Sequence, residues 1–518
     1  MNCLAKIKFD KNSSMLNFIS NLLAFFLTYS ISFFLSPYIV GTLGSEAYGF
    51  VSLATSFTNY ISLITVSLNS LAGRFVSVAL FNKDYQRANQ YYSSVITANS
   101  IITAVLLIPC AVFIFLLERF ISIPAGLVGD VKVLFALVFG SFFISLLTSL
   151  FNVAVFVENK LYLTAMHNAI GSLIRLVVTI VLFSAFPARI AFVGTTTLLV
   201  NVYSILWQYY YKRKFLPQMK YSIKDSDKAK TVELIKSGSW SLLGQVSALL
   251  NSGFNLLLAN QFVSSAAMGM IAISTTLPSI VRSVMGSVSS AFTPNLTRFY
   301  AAGQFDQMER ELKKSIQMLG VVMIVPLAGL TVFGKTFFKL WQPTQDAHVL
   351  WILMLFNVAS LTFSGSTASI HEIFTVTNRL KGQAIAVFIS GIFNMAGTIL
   401  MIQFTDLGVY AVVCIGSLID VLRNFLFTFP YAAKCIHRKW YVFILQSLRS
   451  FASYVLITLL YFAVERWVYS PDNWIGLILE CAVCGVIGVG INAFLMLSSE
   501  NRKEFMNKLF RRKATGRQ

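Results

Sequence analysis

Two arginines, Arg175 and Arg282, stand where an arginine is costly. Each lies fourteen residues into a long apolar run, 161–186 for the first and 268–292 for the second. At helical rise that depth is about 21 Å, so neither side chain can easily reach a polar interface. A guanidinium at the centre of a bilayer costs roughly 2.5–3.5 kcal/mol on insertion scales unless it meets water, a counter-charge or a ligand. Two readings stay open. One is a structural arginine, satisfied by an acid or by carbonyls inside a helical bundle. The other is a water-filled cavity that receives an anion, where the planar fork of guanidinium suits phosphate.

Other residues fit around these two. Arg74 and Arg298 fall at the ends of apolar runs, either as orientation signal or as a basic mouth for an anionic head group. Asp420 and Arg423 are three apart on one run, a spacing that lets them pair. The run that opens each half carries a polar stripe. In the first it is Asn17, Asn21, Thr28 and Ser32; in the second Ser241, Gln245, Ser252 and Asn255. Steps of three, four and seven keep one helical face polar. Such a face serves interhelical hydrogen bonds or lines a cavity that binds sugar hydroxyls. Intramembrane acids are few. Glu372, beside His371, is the best candidate for ion coupling. Pro37, Pro109, Pro278 and Pro326 interrupt runs and predict kinks. No nucleophile–base set, metal motif, phosphate-binding glycine loop or nucleotide fold appears, so neither an enzyme, a metal site nor a cofactor is expected. The six cysteines are scattered and predict no disulfide framework.

The elements that hold these residues follow from composition. The chain has 518 residues, 56% hydrophobic and only 12% charged. A soluble domain carries about twice that charge, so a soluble enzyme and a disordered chain are both excluded. Apolar runs about 20 residues long recur from Leu16 to Leu497 and number fourteen. The fold class is therefore an all-α polytopic membrane protein. Thirty of the 41 lysines and arginines fall on one side of the alternating loops and six on the other. The positive-inside rule then predicts both termini in the cytoplasm. That asymmetry explains much of the +20 net charge, so nucleic acid is not an expected partner.

A repeat organises the runs. Ser45, Ala47, Gly49 and Tyr85 become Ser265, Ala267, Gly269 and Phe305 at an offset of 220, and Asn159-Lys160-Leu161 becomes Asn378-Arg379-Leu380 at 219. Six runs per copy is an even number, so both copies enter from the same side as a parallel repeat. The expected organisation is a basic N-terminus (1–15), a six-helix lobe (16–211) and a basic inter-lobe loop (212–232). A second six-helix lobe (233–430), two extra helices (431–497) and a basic tail (498–518) follow.

The segment FFLSPYIVGTLGSEAYGFVSLA from Phe33, its continuation YISLITVSLNSLAGRFVSVAL, the YYSSV segment after Arg87 and the SGSW at Ser237 resemble the Wzx-type polysaccharide transporter family. That family shares a superfamily with the MATE exporters. The resemblance covers most of residues 15–435. It implies two six-helix lobes around a central cavity, related by a pseudo-two-fold axis along the membrane normal, plus two C-terminal helices. The implied activity is movement of undecaprenyl-pyrophosphate-linked oligosaccharide across the bacterial cytoplasmic membrane, by alternating access, for surface polysaccharide assembly. Implied partners are that substrate, membrane lipids, a polysaccharide polymerase and glycosyltransferases. Arg74 falls on the family-like NSLAGRF segment, whereas Asn255 stands where an acid is expected in relatives. The expected substrate-binding set is Arg74, Arg175, Arg282, Arg298, Asn21, Gln245 and Asn255. The alternative is a MATE-like ion-coupled exporter of small organic molecules; for organic cations it calls for acids, not arginines, deep in the cavity.

Overall fold

The computed structural model describes residues 11–158, 160–365, 367–467, 471–498 and 502. Helices are the regular secondary structure of these residues, with no strand among them. Among the described residues, thirteen helical stretches are long and apolar enough to cross a membrane. The fourteenth expected span, 190–211, is also a helix, Ala191–Phe215. It is not one of the thirteen because Thr195 to Thr197, Asn201 and Ser204 make it more polar. The chain is a multi-pass membrane protein.

The chain divides into two compact units. In the first, α1 (Lys11–Leu43) leads to α2 (Ser45–Asn69), α3 (Ala72–Phe81), α4 (Tyr85–Phe115) and the single turn α5 (Leu117–Phe120). Then come α6 (Val128–Leu147), α7 (Val153–Val157), α8 (Leu161–Ala185), α9 (Ala191–Phe215) and α10 (Lys228–Ala248). Helix α1 packs along α8, α8 along α9, and α9 along α6. The breaks after α2 and α6 face one another through polar side chains. Asn69 and Asn99 exchange amide hydrogen bonds of 3.0 and 3.1 Å, and the Ser149 hydroxyl donates to Asn69 Oδ1. Buried amides must be satisfied in this way when no water is at hand. Asp84 caps α4 by accepting from the Arg87 amide at 3.0 Å.

The second unit opens with a π-helical turn at Leu249–Gly253 and α11 (Asn255–Phe262). Next are α12 (Ser265–Ser274), whose first residues group with the first unit, α13 (Thr276–Ser290), α14 (Thr293–Ala301), α15 (Phe305–Trp341), α16 (Ala347–Ser364) and α17 (Ile370–Val376). The unit closes with α18 (Leu380–Phe404), α19 (Val409–Arg423), a second π-helical turn at Asn424–Thr428, α20 (Phe429–Cys435), α21 (Val442–Trp467) and α22 (Trp474–Met496). The long α15 packs against α16, α21 and α22.

The repeat is visible in the cores. Val76, Ala88, Tyr92, Leu150, Val153, Ala154 and Leu216 share one buried cluster in the first unit. Their counterparts at +220, Leu296, Met308, Leu312, Ile370, Ile373, Phe374 and Ile436, share one in the second. Of the four prolines, Pro37, Pro109 and Pro326 lie inside unbroken helices. Only Pro278 coincides with a break, between α12 and α13. Pro278 stands in the first turn of α13, where its missing N–H costs no intrahelical bond.

Candidate substrate cavity

A cavity of about 600 Å³ opens in the first unit among α1, α8 and α9. Asn21 and Thr28 of α1 line it, with Asn168, Ser172 and Arg175 of α8. Thr197, Asn201 and Ser204 of α9 complete its polar wall. On α8 the steps from Asn168 to Ser172 to Arg175 are four and three, so one helical face meets the space. The polar residues that lower the hydropathy of α9 are largely the ones that line this cavity. Helix composition and site chemistry are here one fact.

Hydrogen bonds fix the walls. Asn17 Oδ1 accepts from the Tyr162 amide at 2.8 Å, and the Thr28 and Ser172 hydroxyls lie 3.0 Å apart, so α1 is tied to α8 at two levels. Asn201 donates to the Ser141 carbonyl and to Ser145 Oγ, which ties α9 to α6. His167 is buried. Its Nε2 is 2.7 Å from Ser204 Oγ and its ring stacks on Trp207 at 4.6 Å between centroids. The Thr197 and Ser172 hydroxyls donate to carbonyls one turn back, a common arrangement for such residues in helices. Arg175 and Asn168 remain exposed to the cavity. No aspartate or glutamate is among its lining residues. The guanidinium therefore opens on the cavity, with no carboxylate among the residues that line it. Such a site attracts an anion that also offers hydrogen-bonding groups to amides and hydroxyls.

Of the residues singled out from the sequence, Arg175 and Asn21 are brought together here. Arg74 lines a second cavity of the first unit, about 370 Å³, with Asn82, Asp84, Arg87, Tyr91 and Ser237. Arg282 is exposed on α13, and Arg298 is exposed on α14 with its guanidinium 5.0 Å from the centre of the Phe299 ring. Gln245 is exposed on α10, and Asn255 is half-buried where α11 leaves the π-helical turn. Glu372 is half-buried on α17 and accepts from the Thr293 hydroxyl at 3.0 Å. None of these last five lines either cavity. The side chain of Ser241 lies outside the described residues. The stripe on α1 serves both purposes that the sequence left open: Asn17 and Thr28 bond to α8, and Asn21 and Thr28 line the cavity.

Asp420 and Arg423 do pair, and the pair is anchored across three helices. Asp420 accepts from the Ser360 hydroxyl of α16 at 2.6 Å, and Arg423 donates to Ser390 of α18 at 3.3 Å. The second unit also holds an apolar cavity of about 390 Å³ between α13, α15 and α22, with Ile280, Val325, Leu330, Phe333, Leu477 and Cys481 in its wall.

The polar cavity residues missed from sequence were His167, Asn168, Ser172, Thr197, Asn201 and Ser204. Their signal was present as the polar interruptions of the runs 161–186 and 190–211. Which of those interruptions share a cavity depends on how α8 and α9 are rotated against α1.

Comparison with known proteins places the fold. The chain is 29% identical over 499 residues to the uncharacterized membrane protein EpsK of Bacillus subtilis (strain 168), covering 96% of this chain and 98% of that one. Among solved structures it is similar to the lipid II flippase MurJ in an inward closed conformation. The TM-score is 0.68 at 15% identity, over 93% of this chain and 97% of that one. A multidrug resistance MATE family transporter of the MOP superfamily, in its inward-facing conformation, also gives 0.68 at 15% identity, over 81% and 98%. A MOP superfamily transporter from Pyrococcus furiosus gives 0.59 at 15% identity, over 81% and 95%. Its description is that the reverse polarity of its binding pocket suggests a different function. No protein-family model matches the chain. The chain has the fold of the MOP superfamily.

Proposed function

We propose that this protein is a flippase for lipid-linked oligosaccharide, of the Wzx type. It moves undecaprenyl-pyrophosphate-linked repeat units across the cytoplasmic membrane for surface polysaccharide assembly. The observation that carries this reading is Arg175, exposed in a polar cavity with no acid among its lining residues. A pyrophosphate supplies the negative charge that the protein withholds. The amides of Asn21 and Asn168 and the hydroxyls of Thr28, Ser172 and Ser204 suit the sugar. The apolar cavity between α13, α15 and α22 suits a polyprenyl chain, which needs a low-dielectric surface and no hydrogen bonds. Arg74 and Arg298, with Arg282, Gln245 and Asn255, act as further contacts along the route, and Glu372 is the candidate for ion coupling. Both termini are cytoplasmic, and the polymerase and glycosyltransferases that make and use the repeat unit are the expected partners. An exporter of organic cations fits less well, because a cation needs the carboxylates that this cavity lacks.

The test is Arg175→Gln and Arg175→Lys in the full-length protein. Gln should abolish surface polysaccharide at unchanged membrane abundance, and lipid-linked repeat units should accumulate on the cytoplasmic leaflet. Lys keeps the charge but loses the bidentate fork, so it should retain part of the activity. Normal export by a well-expressed Gln variant would refute the head-group role.

A further inference from the structure

A third charged pocket lies in the second unit, far along the chain from Arg175, and the reading above makes no use of it. It is about 620 Å³ and sits where α20 turns into α21. Lys434, His437 and Lys439 face it with Tyr431 and Trp440, and Leu426 forms its apolar side. Both lysines, His437, Leu426 and Trp440 are exposed. Arg438 is spent on structure: it pairs with Asp306 and with Glu309, the latter at 2.6 Å, and so pins the turn to the start of α15.

The turn itself is built to present cations. The Arg438 amide donates to the Ala433 carbonyl at 2.8 Å and the His437 amide to the Lys434 carbonyl at 3.2 Å, which closes α20 in a Schellman-like cap. His437 takes the left-handed position at φ 56°, where glycine or asparagine is usual. The repeat gives an internal control. At the corresponding corner of the first unit Asn89 donates to the Gln218 carbonyl, and these residues lie 220 before Glu309 and Arg438. The anchor is therefore kept in both units. What differs is the residue beyond it: Met219 is 2% exposed in the core, whereas Lys439, 220 later, is exposed. Pro217 and Lys220 likewise give way to His437 and Trp440. Lys434 has its own counterpart in the exposed Lys214, so both corners carry cations; the second adds the exposed Lys439 and the exposed Trp440.

We propose that this corner binds an anionic diacyl phospholipid of the bilayer, such as phosphatidylglycerol. Lys434, His437 and Lys439 hold the phosphodiester, Trp440 sits at the head-group level, and the acyl chain runs along Leu426. Exposed apolar side chains beside unpaired lysines suit a ligand with one charged and one greasy end. A free anion makes no use of Leu426 or Trp440. Neither lysine has a carboxylate partner among the described residues. This proposal does not rest on the transport reading.

The test is native mass spectrometry of the full-length detergent-solubilised protein, titrated with phosphatidylglycerol or phosphatidylcholine. Wild type should take up phosphatidylglycerol saturably and in preference to phosphatidylcholine. Lys434→Gln and Lys439→Gln should each weaken it about fivefold, and the pair about thirtyfold. The equally charge-depleted Lys220→Gln/Lys224→Gln control should bind as wild type does. On wild-type protein, nanodiscs containing phosphatidylglycerol should slow amide exchange over residues 434–441 relative to phosphatidylcholine nanodiscs, a readout that needs no variant. Equal uptake of the two lipids, equal losses in the control pair, or no protection of 434–441 would each overturn the proposal. So would displacement of phosphatidylglycerol from this pocket by equimolar undecaprenyl pyrophosphate, which would make the occupant the transported lipid.

Discussion

Gly49 and Gly269 stand 220 residues apart in the sequence and lie backbone against backbone. A β-carbon on Gly49 would sit 2.9 Å from the Gly269 amide nitrogen, and one on Gly269 would collide with the Ser45 carbonyl. Repeat-related positions thus meet at a contact that admits no side chain. Gly49→Ala should cost about 1–3 kcal/mol, because the obstructing atoms are backbone and cannot rotate away. Gly41→Ala, which meets nothing within 4 Å, is the control and should be close to neutral. Thermal unfolding in detergent compares them; equal melting temperatures would mean that the glycine contact is dispensable.

The Asp420–Arg423 pair should behave as a unit. Asp420→Asn alone leaves the guanidinium without its counter-charge and should destabilise by about 3 kcal/mol, near the lower end for a broken buried pair. The side chains of Arg423 and Asp420 keep 12% and 23% of their exposure, which is why the lower end applies. Asp420→Asn combined with Arg423→Met should recover much of the loss. A double variant as unstable as the sum of the single ones would show that the two residues act independently.

Sidedness can be read chemically. In a cysteine-free background, single cysteines at Gly126 and Gln345 should react with an impermeant thiol reagent on intact cells, and one at Ser226 should not. The reverse pattern would overturn the orientation taken from the charge count.

Arg282 separates cavity chemistry from depth. It is exposed, as Arg175 is, but it lines neither the 600 Å³ cavity nor the Arg74 pocket. If depth alone makes these arginines essential, Arg282→Gln and Arg175→Gln should reduce export equally. If the polar cavity matters, Arg175→Gln should be the more severe by at least tenfold. Quantified surface polysaccharide at matched protein abundance decides it.

The amino-acid sequence alone determined the solvent and the scaffold. Run length, a charge content half that of a soluble domain and the 220-residue offset are properties of the chain, because a bilayer imposes one length and one polarity on every spanning helix. The Asp420–Arg423 pairing was equally legible, since three residues on a helix bring two side chains together whatever surrounds them. Tertiary structure decided which polar residues share a space. Asn21, Asn168, Asn201 and Arg175 belong to three helices, and only the rotation of α1, α8 and α9 about their axes turns them toward one cavity. Gln245 and Asn255 were equally plausible in a one-dimensional stripe and fall elsewhere. The sequence could weigh the cost of burying Arg175, but no helical period states which neighbour will face it; that is set by side-chain packing between helices remote in the chain.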